Sequence, residues 1–226
     1  MKRNYTNLKR GPILRLLFIR HAQTDSNIDH RFDTVHPGPG LNACGLAQAH
    51  MLPATLVGTT LDAVYASPLR RAVMTAEPLA ANLQLSVEIR DGLREISAGE
   101  FETRSDPEAR ERYHDIIFGW SSGAPDVRVP GGPNGHEFFE CFDTVINEIS
   151  ERGPSNVAIV SHGAAIRVWV SARTKNISPT WAITNGLKNT SMVMISGSPR
   201  HGWTTLQWDR EMLEAANSAA FRTQCG

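Results

Sequence analysis

The sequence predicts an α/β fold: a three-layer α/β/α sandwich around a central, mostly parallel sheet. Three observations carry that expectation. Leu16-Leu17-Phe18-Ile19 is an unbroken apolar run ended by Arg20-His21. Ala158-Ile159-Val160 repeats the design and is ended by Ser161-His162-Gly163. Between and around them, helix-like segments alternate with further short apolar runs. Short apolar runs stopped abruptly by polar or Gly residues read as strands buried on both faces. Strands alternating with helices build one sheet covered on both sides.

Taken in order, residues 13–19 read as the first strand. Residues 45–57 are helix-like with Asn42 as N-cap, and Pro53, which lacks an amide proton, should bend or end that helix. A short strand follows at 63–66. Ser67-Pro68 then opens a helix towards Asn82, proline sitting naturally in a first turn. Residues 86–89 are a further strand. Asp106-Pro107 begins a charged helix through Phe118, and 137–152 is strongly amphipathic. Residues 156–161 form the second histidine-bearing strand, followed by a helix over 164–173. Residues 191–196 and 203–208 alternate as a hairpin across Gly197-Ser198-Pro199. The Pro- and Gly-dense stretch 121–135 reads as an ordered loop over the site. No linker divides the chain, so the expectation is one domain over 13–210. A flexible basic N-terminal tail (1–12) and a C-terminal tail (211–226) would flank it.

Composition narrows the function classes. With 226 residues, 41% hydrophobic and 20% charged, the chain can bury a sizeable core. Lys+Arg and Asp+Glu are both 23, which removes the electrostatic case for nucleic acid or an anionic membrane surface as a partner. Cys44, Cys141 and Cys225 form no CxxC pair and fit reduced thiols, hence a cytoplasmic protein. The first apolar run is interrupted by Arg15 and too short to span a bilayer.

Several phosphate and hydrolytic chemistries drop out as well. No GxxxxGK[ST] loop exists, no arginine lies six residues after Cys44 or Cys141, and His136-Glu137 lacks the second histidine of HExxH. No Asp/His cluster has metal-ligand spacing. The expected site is free of metal and of any cofactor, built from His and Arg.

Both histidines would lie just past the carboxyl ends of strands, where open α/β sheets bind their ligands. His21 is the candidate nucleophile, because a neutral imidazole offers a lone pair to phosphorus. Arg20 could hold phosphoryl oxygens through its planar fork. The turn Ser67-Pro68-Leu69-Arg70-Arg71-Ala72-Val73-Met74-Thr75 could aim backbone N–H groups and arginines at an anion. Glu95, flanked by apolar residues in Leu93-Arg94-Glu95-Ile96, suits a general acid. Each piece alone has a bland reading: a loop that ends a strand, a solvated pair of arginines, a salt-bridge carboxylate.

In combination and in this order, Arg20-His21, Arg71, Glu95 and His162-Gly163 resemble the histidine phosphatase superfamily, in its phosphoglycerate-mutase-like branch, from about Leu14 to Asp209. The resemblance implies that His21 becomes phosphorylated and that Arg20, Arg71 and His162 form the phosphate pocket. It selects Arg71, the arginine before Ala72, over Arg70. It also places phosphate contacts at Thr24, Asn27 and Gly163, the proton donor at Glu95, and a substrate-side position at Arg31 and Phe32. Leu41, Gly45, Gln48 and Ala49 match a helix motif of structural character.

Two departures stand out: Ala22 replaces the usual glycine of the first motif, and the basic insertion of cofactor-dependent mutases is absent after Glu95. Arg31, Arg104, Arg110, Arg112 and Arg128 are the candidates for extra substrate cations. The expected function is metal-independent hydrolysis of a small phosphorylated metabolite, acting without cofactor. Phosphoglycerate mutase activity and a non-catalytic phospho-ligand-binding role are the alternatives. A homodimer is the base-rate expectation.

Overall fold

The computed structural model describes residues 13–209 and 211–213. Its first half runs β1 (Leu14–Arg20), α1 (Asp25–Ile28), α2 (Ala43–Thr55), β2 (Ala63–Ala66), α3 (Arg70–Asn82) and β3 (Val87–Ile89). Its second half runs α4 (Pro107–Ser121), α5 (Gly135–Arg152), β4 (Asn156–Ser161), α6 (Gly163–Arg173), α7 (Pro179–Thr184), β5 (Met192–Ser198), β6 (Gly202–Trp208) and β7 (Glu211–Met212).

Side chains alternate across a strand, so β1 sends Leu16 and Phe18 to one face and Leu17 and Ile19 to the other. Both sets are buried, which requires a helical layer on each side. The larger layer is α4, α5 and α6, where Phe18 meets Phe142 and Trp169 with ring centroids 6.0 and 5.4 Å away. The smaller is α2 and α3, whose Leu52, Ala72, Ala76 and Leu79 cover Leu17 and Ile19. The sandwich expected from the sequence is therefore present.

One seven-stranded sheet runs in the order β3-β2-β4-β1-β5-β6-β7. The four strands β3, β2, β4 and β1 are parallel, and β5, β6 and β7 extend the sheet antiparallel. Register decides where the site falls: Arg20 pairs with Ser161, so the residues that leave β1 and β4 are His21 and His162.

Local chemistry sets the boundaries. Asn42, Asp106 and Asn134 accept a backbone N–H in the first turns of α2, α4 and α5, as N-caps do. Glu137 returns the favour to the Asn134 backbone, which starts α5 two residues before the expected position. Pro53 falls in the last turn of α2, which stops at Thr55. Ser67-Pro68-Leu69 forms a turn, and α3 begins only at Arg70. The β5–β6 turn lies at 199–201, beyond the expected Gly197-Ser198-Pro199, because β5 stays paired through Ser198.

Three elements were not expected: the single turn α1, the helix α7, and β7. Because Glu211–Met212 pairs with β6, the sheet continues past residue 210, where the domain was expected to end. The predicted 1–12 tail and 214–226 lie outside the described residues. Among the described residues, no helix is long and apolar enough to cross a membrane.

The loop between α4 and α5 is ordered but does not lie over the site. Val129 is buried, Glu100 N donates to Pro130 O at 2.8 Å, and Trp120 Nε1 donates to Val127 O at 2.7 Å. These contacts fasten the loop to the end of α4 and to the connection between β3 and α4, and none of its residues lines the cavity described next.

Candidate active site

The carboxyl ends of β1, β2 and β4 meet in one place. His21 N donates to Ser161 O at 2.9 Å and Ser67 N to Val160 O at 3.0 Å, so the three post-strand turns are laced together by sheet-type bonds. The loop after β3 joins them through Ser161 Oγ, which donates to Leu93 O at 2.9 Å. A cavity of about 210 Å³ opens over these ends. Arg20, His21, Thr24, Asn27, Arg31, Phe32, Arg71, Glu95 and Gly163 all line it. His162 is fully buried beside it, its ring centroid 5.1 Å from that of His21.

The state of His21 follows from its partners. Nδ1 lies 2.7 Å from Ala22 O. A carbonyl only accepts, so Nδ1 carries the ring proton and Nε2 carries the lone pair. Arg71 Nε donates to that lone pair at 3.1 Å. Burial, then the charges of Arg71 and Arg20, hold the His21 pKa well below the usual 6.5. His162 is held low by the same causes, burial first. Two neutral imidazoles therefore lie next to each other, tilted by 57°, close to two guanidiniums.

Among the described residues, the buried side-chain N and O atoms with no hydrogen-bond partner are Arg20 Nε, Arg71 Nη1, His162 Nδ1 and Thr205 Oγ1. Three of these four belong to this cluster. Buried polar groups are almost always partnered, so three adjacent orphans mark a site built for a ligand rich in acceptor oxygens. Arg20 Nη1 donates to Leu187 O, which fixes the fork, and Nε lies against Gly163. A Cβ at 163 would come within 3.2 Å of that Nε, so the bare backbone leaves its approach open.

Several groups that position the cluster were not singled out from sequence. Thr75 Oγ1 accepts from Ala22 N at 2.9 Å and donates to Arg71 O at 2.6 Å, tying the His21 loop to the α3 arginine. Its place in the Ser67–Thr75 motif was the available signal. Asn189 Nδ2 donates to His21 O at 3.0 Å and to Asn27 Oδ1 at 2.9 Å. Nothing in the sequence pointed to Asn189, which comes from the approach to β5. Gln48 Oε1 accepts from Gln23 N at 2.9 Å, the reason for the glutamine of the α2 motif.

Glu95 accepts three backbone bonds: from Ile96 N at 3.0 Å, Ala164 N at 3.2 Å and Ala165 N at 2.8 Å. Thr24 caps α1, and Asn27 completes the reciprocal capping box. Phe32 packs edge-on against Tyr113 at 4.8 Å, and Arg31 sits exposed at the mouth, its Nη2 3.3 Å from Ser26 Oγ.

Of the other cations considered, Arg104 and Arg128 pair on the surface with Asp106 and Glu137, and neither they nor Arg110 and Arg112 line the cavity. Arg167 and His114 line it instead. Arg167 lies four residues after Gly163 on α6, a spacing that shares one helix face and could have signalled it. No group of three or more His, Cys, Asp or Glu suited to a metal occurs among the described residues.

Comparison with known proteins identifies the family. Residues 16–210 match the model of the histidine phosphatase superfamily (branch 1). The chain belongs to that superfamily, and by class it is a phosphatase. It is similar to a PE-PGRS family protein of Mycobacterium tuberculosis, 32% identical over 85% of this chain, although the chain spans only 36% of that protein's length. It is also similar to the adenosylcobalamin/alpha-ribazole phosphatase of Escherichia coli, 29% identical over 70% of this chain and 78% of that one. A solved mycobacterial glucosyl-3-phosphoglycerate phosphatase, in complex with VO3, shares the fold with TM-score 0.74 and 24% identity. It covers 88% of this chain and 100% of its own.

Proposed function

We propose that the protein hydrolyses a small phosphomonoester without metal, through a phosphohistidine on His21. The single observation that carries this reading is the tautomer of His21: Nδ1 is committed to Ala22 O, and the Nε2 lone pair stands at 3.1 Å from a guanidinium of the cavity wall. Phosphoryl transfer asks little covalent chemistry of a protein beyond a nucleophile and preorganised charge.

In the first half-reaction, Nε2 forms a bond to phosphorus as the ester P–O bond breaks in line. The departing alkoxide takes a proton from the Glu95 carboxyl group. Arg20 Nε, Arg71 Nη1 and His162 Nδ1 donate to the equatorial oxygens, so the atoms without partners at rest acquire them in the complex. In this reading Ser67 Oγ, 2.7 Å from His162 Nε2, donates there, which leaves the ring proton on Nδ1. Arg71 Nε moves its bond from the lone pair to a phosphoryl oxygen. The side-chain NH2 of Asn27, whose Oδ1 is already taken by Asn189, adds a further donor. In the second half-reaction Glu95 accepts a proton from the attacking water, the N–P bond breaks, and the electron pair returns to Nε2.

The deciding experiment is brief exposure to ³²P-labelled substrate at alkaline quench. An acid-labile, base-stable phosphoenzyme on Nε2 of His21, missing in His21→Ala together with turnover, is the expected result. Phosphate on another residue, or full activity in the variant, would remove the reading.

A further inference from the structure

Resting on the phosphatase reading, we propose that the alcohol portion of the substrate carries a carboxylate, and that Arg167 receives it. Among the described residues, Arg15, Arg70, Arg110, Arg112 and Arg200 neither line the cavity nor pair with a described carboxylate; the other ten divide into two groups. Arg90, Arg94, Arg104, Arg128, Arg152 and Arg173 each pair with a carboxylate. Among the described residues, the four that line the cavity, Arg20, Arg31, Arg71 and Arg167, have no carboxylate within ion-pair distance. A phosphomonoester dianion accounts for Arg20 and Arg71, which flank His21. Arg31 stands exposed to solvent. Arg167 is left as a partly buried cation with no matching anion, an arrangement that costs free energy unless a ligand supplies the charge.

Its geometry is that of a fixed receptor. Nε donates to Ala182 O at 2.7 Å and Nη2 to Ile183 O at 2.8 Å, both carbonyls in the last turn of α7. The guanidinium also stacks over Phe118, 4.7 Å from the ring centre. Two bonds and a stacking surface hold the plane, and no acceptor among the described residues takes Nη1. Burial lowers the Arg167 pKa to about 10, which leaves it charged at neutral pH. Glu95 is close enough to favour that charge, but both its oxygens are already occupied by backbone amides.

The second group has to be small. A cavity of about 210 Å³ falls below the ~300–1,000 Å³ of sites for drug-sized ligands. One guanidinium with one unused edge suits a single monoanionic carboxylate better than a second phosphate dianion, which would call for another cation beside it. Neighbouring His114 is held at about 4 by burial and then by Arg167 and Arg110, so it stays neutral and supplies no charge of its own.

Matched substrates test this. 3-Phosphoglycerate against glycerol 3-phosphate, and O-phosphoserine against phosphoethanolamine, differ in the carboxylate. We expect the wild type to favour the carboxylate member of each pair by at least tenfold in kcat/KM. Arg167→Gln should collapse that ratio by tenfold or more, mainly through KM. A wild type without preference, or a variant in which both members slow equally, would mean that Arg167 only caps α7, and the proposal falls. Calorimetric binding of the same pairs to His21→Ala reads the subsite without turnover. Equal affinities there would overturn the carboxylate assignment even if hydrolysis is confirmed. A tenfold preference there would uphold it even if hydrolysis fails.

Discussion

Ala165 N donates to Glu95 Oε1 at 2.8 Å, so the carboxylate that follows β3 is seated on the first turn of the helix that follows His162. Helix N-termini favour negative charge and present unpaired N–H groups. The candidate proton donor and the second histidine thus share one rigid support, and Glu95 is held by backbone rather than by a mobile side chain.

The first prediction follows from that seat. Gln in place of Glu95 keeps the acceptor oxygen but cannot exchange a proton with the leaving group. Glu95→Gln should slow alkyl phosphates by roughly 10²–10⁴-fold. Nitrophenyl phosphate, whose leaving group needs no proton, should lose less unless dephosphorylation limits the rate. Equal losses on both substrates would show that Glu95 only positions α6. The same assays separate hydrolysis from isomerisation: 3-phosphoglycerate with its bisphosphate primer should yield free phosphate. Efficient formation of 2-phosphoglycerate with little phosphate release would make the protein a mutase with the same residues in place.

A second prediction concerns metals. With Arg20, Arg71 and His162 supplying the donors, activity should survive exhaustive chelation. Vanadate should inhibit by resembling the five-coordinate transition state. Activity lost to EDTA and restored by a divalent ion would contradict the assignment of charge stabilisation to these three side chains.

Acid stability supplies a third. His21 and His162 are held well below 6.5 in the fold, and His114 at about 4. Between those lowered values and about 6.5, the unfolded chain binds more protons than the folded one. The stability contributed by keeping these rings neutral is complete above pH 6.5 and is lost progressively as pH falls below it. Thermal melts should show Tm declining from pH 6.5 to 4, and His114→Phe should flatten part of that decline. A level or rising Tm over this range would refute the neutral state of the three rings.

The fourth prediction tests the support behind His21. A Cβ on Gly45 would lie 2.1 Å from Gln23 O and 2.9 Å from Gln23 N, both backbone atoms of the loop that carries His21. Gly45→Ala should cost about 1–3 kcal/mol of stability, as overpacking does. It should also lower kcat, because a displacement of about 1 Å at a reacting group can cost 10²-fold. Urea melts and steady-state rates check both, and a variant as stable and active as the wild type would show that α2 does not brace the loop.

The sequence by itself determined β1 to β6, α2 to α6 and the residues that emerge at the ends of β1 and β4. Burial on both faces of a sheet writes itself as continuous apolar runs, and the residues that end those runs must emerge at the strand ends. That is why Arg20-His21 and Ser161-His162 were legible: a single local pattern contains both the strand and its chemically active terminus. What the sequence could not determine depended on contacts distant along the chain. The donor to the His21 lone pair is a guanidinium 50 positions away, and the pairing of Arg20 with Ser161 rests on the register of β1 against β4. Asn189 reaches His21 across 168 positions, and Arg167 lines the cavity because α7 offers it two carbonyls. The loop at 121–135 packed onto the end of α4 and the β3–α4 connection because Val127 and Pro130 find their partners there, a choice that composition does not encode. Periodicity records which face of an element is buried; only the assembled tertiary structure decides what that face is buried against.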